Sequence, residues 1–162
     1  MKFLRNGNST RRQALVLLGS GMVAGFGGMT MRPLLAVASD LPPVTIYKDP
    51  SCGCCGIWTD YLKAHGFTTK VVMTEDMDPI KRSAGVPDNI ATCHTAYFGN
   101  YVVEGHVPVP AIMKLLTERP NVLGIGVPGM PNGAPGMPTT DPEPYQVLTF
   151  AADGTQKVYM SF

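Results

Sequence analysis

Three of the four cysteines in this 162-residue chain fall within four residues, Cys52-Gly-Cys-Cys55, and the segments on either side fix what can surround them. Val44 to Lys48 has the β-branched and aromatic content of a strand, and Asp49-Pro-Ser51 breaks it with turn residues. From Gly56 the apolar residues Ile57, Trp58, Tyr61 and Leu62 recur at helical spacing, and Gly66 closes the run. The cysteines are therefore expected at the N-terminus of a helix, just past a strand. There, free backbone N–H groups and the helix dipole stabilise a thiolate, the form that attacks disulfides and binds soft metals.

The remaining pattern predicts the partners of this strand and helix. Thr68 to Thr74 reads as a second strand and Asp76 to Ala84 as a short helix stopped by Gly85. Thr95–Phe98 and Tyr101–Val103 flank Gly99-Asn100, a hairpin pair, and Pro108 can open a helix that ends before Pro120. Between Pro120 and Tyr145 stand seven prolines and five glycines, too little apolar periodicity for a helix or strand, so an ordered loop over the domain is expected. Gln146–Phe150 and Lys157–Met160 then form a closing hairpin. The sum is an α/β (α+β) chain: a thioredoxin-like single domain with an added Pro/Gly/Met-rich loop and a C-terminal β-hairpin.

Residues 1–38 are set aside from this fold. Lys2, Arg5, Arg11 and Arg12 precede an uncharged, Gly-rich apolar run, and Ala36-Val-Ala38 has the small residues of a cleavage site. Thr10-Arg-Arg-Gln-Ala-Leu15 resembles a twin-arginine signal, which implies export of a folded chain; the general secretory route and an uncleaved anchor are the alternatives. The reading is a cleaved export signal, a domain over 39–162, periplasmic residence and no stable membrane insertion after cleavage. That domain holds eight basic and twelve acidic residues, a net charge of −4, which leaves no basic patch for nucleic acid.

All four cysteines, Cys52, Cys54, Cys55 and Cys93, lie in the exported part and meet an oxidising compartment, so two disulfides are the baseline. Dithiol exchange needs only Cys52 and Cys55, however, and Cys54 is surplus to it. Three adjacent sulfurs plus Cys93 form a soft donor set suited to Cu(I), zinc or an iron–sulfur centre. Either His94 or His106 could join it; His106 is preferred, beside a strand end and a helix start, while His65 reads as a surface residue near a helix end. Met130 and Met137, each in a Pro-Gly-Met triplet, are the remaining candidates. Their neutral thioethers suit Cu(I) better than zinc, although loop methionines also serve as gap-fillers.

Five segments in this order, Pro50-Ser-Cys-Gly-Cys-Cys55, Cys93-His-Thr-Ala96, Gly105-His-Val-Pro108, Pro128-Gly-Met-Pro131 and Asp141-Pro-Glu-Pro-Tyr145, resemble the CopG-like copper-resistance family across nearly the whole exported part. The resemblance implies a periplasmic thioredoxin-like protein that handles copper through Cys52, Cys54, Cys55 and Cys93, with His106, Met130 and Met137 as further ligands. The expected function is Cu(I) binding, singly or as a sulfur-bridged cluster, with copper redox state coupled to disulfide formation between Cys52 and Cys55. Its expected partners are copper ions and other periplasmic copper-handling proteins. The rivals are a metal-free thiol–disulfide oxidoreductase, a redox-passive copper carrier and, less well matched in spacing, a zinc site.

Overall fold

The computed structural model describes residues 41–162; the expected export signal and its cleavage point lie outside the described residues. Seven strands form a single sheet in the order β2-β1-β3-β4-β5-β6-β7. Strand β1 (Val44–Lys48) leads through helix α1 (Gly53–Ala64) to β2 (Thr69–Met73), which lies parallel to β1. Helix α2 (Asp78–Ala84) precedes the hairpin of β3 (His94–Phe98) and β4 (Tyr101–Glu104), and helix α3 (Val109–Glu118) follows it. This is the thioredoxin-like core expected from the pattern. Gly99 makes the hairpin turn at φ 60°, a left-handed conformation that glycine adopts without strain.

Strand alternation sorts the core onto two faces. Ala96, Phe98 and Val103 point to the face covered by Trp58 and Leu62 of α1 and by Ala111, Ile112 and Leu115 of α3. Tyr97 and Val102 point the other way, toward Ala84, Val86, Ile90 and Phe150. The same parity sends His94 to the α1 face and Thr95 with Glu104 to the α2 face, and it decides the chemistry around Cys93.

Two elements differ from expectation. The helix bearing the cysteines starts at Gly53, so Cys54 and Cys55 lie inside its first turn and Cys52 is its N-cap residue. The segment expected to be all loop contains a short strand, β5 (Gly124–Gly126), parallel to β4 and antiparallel to β6 (Gln146–Phe150). A Cβ at Gly124 would collide with the Val102 carbonyl, so the small residues that hide this strand from periodicity are what let it fit. Through β5 the closing hairpin of β6 and β7 (Gln156–Ser161) joins the main sheet.

Candidate metal centre

The turn into α1 is built by Asp49, whose carboxylate accepts hydrogen bonds from the Ser51 N–H at 2.7 Å and the Ser51 hydroxyl at 2.5 Å. These bonds hold the Asp49 carboxyl below its ordinary pKa. The Cys52 N–H donates to the Asp49 carbonyl, closing the turn. Cys52 and Cys55 are joined in a disulfide with Cα atoms 5.5 Å apart, while Cys54 and Cys93 are free thiols. Cys55 is fully buried and Cys52 is half-buried.

Cys93 arrives from the residue just before β3 and meets this loop. Its sulfur lies 3.6 Å from that of Cys55, and the Cys54 sulfur lies 3.5 Å from that of Cys52. All four sulfurs fall within 4.8 Å of one another. Burial, reinforced by Cys54, pushes the Cys93 thiol above its ordinary pKa. The Met130 thioether stands 3.7 Å from the Cys93 sulfur on an exposed residue. An open depression beside the sulfurs is lined by Cys52, Cys54, Cys93, Met130 and Met77 together with the acidic residues around Asp76.

His106 is fully buried behind Cys93, and its Nδ1 is 2.7 Å from the Pro135 carbonyl. A carbonyl can only accept, so Nδ1 carries the proton and Nε2 of the neutral ring bears a free lone pair. That Nε2 is buried with no hydrogen-bond partner among the described residues. Burial lowers the His106 pKa, keeping the ring neutral. An imidazole that donates from one nitrogen to a backbone carbonyl and leaves the other free is set up as a metal ligand.

His94, the alternative to His106 in the sequence, stands with it beside Cys93. It is fully buried, its ring centroid is 4.5 Å from that of Trp58 and 5.2 Å from that of His106, and neither ring nitrogen has a hydrogen-bond partner among the described residues. Ligand atoms of Cys93, His94 and His106 also lie within 4.8 Å of one another. Burial, with His106 and Lys81 adding repulsion, pushes its pKa down to about 3. The signal was available: position 94 shares strand parity with the core residues Ala96 and Phe98, which points it inward.

The proline-rich loop lies over this centre and is ordered by its own bonds. Met137 N–H donates to Ala134 O, Gly133 N–H to Met137 O, and Asn132 N–H to the Glu143 carboxylate. Gly136 has φ +90°, and a Cβ there would stand 2.9 Å from His106 Nδ1, 3.0 Å from Cys54 O and 3.1 Å from Trp58 N. Only glycine lets the loop rest directly on the first turn of α1. Of the two loop methionines, Met130 is in sulfur contact with the cysteines, whereas Met137 is half-buried in the turn that seats Gly136.

A family model described as protein of unknown function, DUF411, matches residues 90–137, the span from before Cys93 to the second loop methionine. No curated protein matches the sequence. Two solved structures are similar to it, described as copper resistance protein CopG, form 1 and form 2. The first is 37% identical, with a TM-score of 0.71, covering 76% of this chain and 98% of that one. The second is 38% identical at the same TM-score, covering 75% and 98%. At that identity over nearly the full length of the solved chains, this chain belongs to the CopG-like copper-resistance family.

Proposed function

We propose that this protein binds Cu(I) through Cys52, Cys54, Cys55 and Cys93 and couples copper redox state to the Cys52–Cys55 dithiol, in the periplasm, after export under the signal in residues 1–38. The observation that carries the reading is the convergence of four sulfurs within 4.8 Å of one another, with Cys93 shared with a second group that it forms with His94 and His106. Soft thiolates select Cu(I), and the neutral Met130 thioether and His106 Nε2 complete a donor set that does not add further negative charge. Met137 belongs to the same proposal as a further ligand from the covering loop. The solved relatives carry the words copper resistance in their descriptions, which supports copper as the ion.

The redox step balances with copper as the substrate. Cys52 and Cys55 as thiols lose two protons and two electrons and form the S–S bond; two Cu(II) ions each take one electron and become Cu(I). Cys54 and Cys93 stay reduced; the four-cysteine site exists with the dithiol reduced, and disulfide formation withdraws Cys52 and Cys55 from it and releases the metal. The half-buried Cys52 is the sulfur reached from outside, and Cys55 closes the bond from within.

Anaerobic titration of the reduced protein with Cu(I) against a chromophoric chelator tests the binding claim. Cys93→Ser and Cys54→Ser should weaken Cu(I) by about 10-fold or more each, and wild-type binding no tighter than that of a variant with all four cysteines changed to serine would remove it. Adding Cu(II) to the reduced, metal-free protein should yield two Cu(I) per disulfide formed; Cu(II) left unreduced and thiols left unoxidised, in a protein that still binds added Cu(I), would leave a redox-passive carrier. The second reading, a thiol–disulfide oxidoreductase, is favoured by the disulfide at a helix N-terminus with one half-exposed sulfur. It predicts reduction of insulin disulfides without metal, unaffected by Met130→Leu or His106→Gln.

A further inference from the structure

Behind Cys93, on the sheet face away from the histidines, lies a charged cluster that the copper chemistry above does not use. Glu104 is fully buried at the end of β4. Its Oε1 accepts from Lys81 Nζ at 2.5 Å, from the Thr92 N–H at 2.6 Å and from the Thr92 hydroxyl at 3.0 Å; its Oε2 accepts from the Thr95 hydroxyl at 2.7 Å. Lys81 also donates to Thr95 Oγ1 at 3.1 Å. Every contact is a donor aimed at an acceptor, the arrangement of an ionised carboxylate with its counter-ion.

A buried carboxylate is expensive, and an apolar side chain would pack as well opposite Thr95 in the β3–β4 ladder. What an apolar residue cannot do is accept the Thr92 N–H. The ladder begins at His94, whose partner is Lys48, so Cys93 precedes the register of the sheet. Bonds from one carboxylate to Thr92 and Thr95 span the two residues between them, Cys93 and His94.

We infer that Glu104 is a positioning residue that fixes Cys93, the one cysteine of the centre supplied from outside the Cys52–Cys55 loop, by clamping Thr92 and Thr95, with Lys81 as its counter-ion. The inference rests on Cys93 serving the centre proposed above, yet the clamp acts on the thiol whether or not copper is present. Glu104→Gln keeps an acceptor oxygen for Thr92 and can donate to Thr95 Oγ1, so it should preserve the geometry. Glu104→Leu removes all four bonds to the carboxylate; Thr95→Val removes one of those four, together with the Lys81–Thr95 bond, while leaving the ion pair.

The test compares the alkylation rates of Cys93 and Cys54 by iodoacetamide in the full-length, reduced, metal-free protein, read by peptide mass spectrometry, beside Cu(I) competition. The Cys93-to-Cys54 rate ratio should rise about tenfold in Glu104→Leu and about threefold in Thr95→Val, and stay near wild type in Glu104→Gln. Cu(I) affinity should fall about 10–100-fold in Glu104→Leu and recover in Glu104→Gln. If Glu104→Leu does not fold, Thr95→Val and Glu104→Gln decide. A ratio unchanged in the folded Leu and Val variants overturns the clamp, as does a Gln variant as perturbed as the Leu variant. Should wild type bind no Cu(I), the proposed function fails, and the alkylation ratio still judges Glu104.

Discussion

Two polar clusters sit on opposite faces of β3, one residue apart in sequence, and they are treated in opposite ways. On the α2 face, the buried Glu104 carboxylate has four donors and both of its oxygens are used. On the α1 face, equally buried, His94 has no partner on either nitrogen among the described residues and His106 has one on only one. Buried polar atoms without partners are costly, and folded proteins keep few of them. The saturated cluster is what scaffolding requires. The unsaturated one gives up stability and leaves two lone pairs near Cys93, which a ligand site for a soft ion, as proposed, would use.

The largest effect expected from breaking this asymmetry is on the saturated face. Glu104→Leu leaves the Lys81 ammonium, only slightly exposed, without its counter-ion, and strands the Thr92 N–H. Removing one partner of a buried pair costs about 3–5 kcal/mol, so urea denaturation of the metal-free protein should show a loss of that size. The surface pair Lys63–Asp60 is the control: Asp60→Asn should change stability by less than about 1 kcal/mol. Equal effects at the two sites would mean that Glu104 is not the bracing element.

How far the sequence foretold this comparison depends on the range of the interactions. The Cys52–Cys55 turn, the strand before it and the helix after it are local, and their turn residues and helical spacing were sufficient to place them. The thioredoxin-like order and the closing hairpin were equally legible, because each element carries its own period and its own breakers. Cys93 was recognised as a donor by its chemistry, but its approach to Cys55 is a product of the sheet order, which brings β3 beside β1. Glu104 gave no signal, since a carboxylate ending a strand usually reads as solvent-facing. Strand β5 was invisible because Gly124 and Gly126 carry no side chain to form a period, and their smallness is visible as a need only against Val102 and Ile90.

A smaller effect should come from the loop that covers the unsaturated face. Gly136→Ala places a methyl against His106 Nδ1 and two backbone atoms of α1 while holding a left-handed φ. Strain of that kind costs about 1–3 kcal/mol, so the melting temperature should fall modestly. The more telling change is in His106: once its bond to Pro135 O is displaced, the Nδ1–H loses the partner that fixed the tautomer. Cu(I) affinity should then drop by more in Gly136→Ala than in Gly133→Ala, whose Cβ would meet only Pro142 and Thr139. Parallel losses in the two variants would separate the loop from the centre.

The smallest effect per unit change, and the most specific to the unsaturated face, lies in pH. His94→Leu replaces two unbonded nitrogens with carbon, so at pH 7 it should leave the metal-free protein as stable as wild type or raise it by about 1 kcal/mol. The groups that bear on His94 are His106 from beyond β4, Lys81 on α2 and Lys48 on β1, and all remain in the variant. Its folded pKa, about 3, lies below the ordinary value of 6.5, so in this window the unfolded chain binds the extra proton. Wild-type stability therefore holds above pH 6.5 and is lost as pH falls toward 3, at a slope of up to about 1.4 kcal/mol per unit. Glu104 titrates in both proteins, so its contribution cancels in the difference. Urea midpoints for wild type and His94→Leu should diverge steadily from pH 6.5 to pH 4.5, with the variant the more stable. Curves that stay parallel over that range would mean that His94 takes up its proton as readily in the folded protein as in the unfolded chain, and that the two faces of β3 are not the contrast in polar satisfaction drawn above.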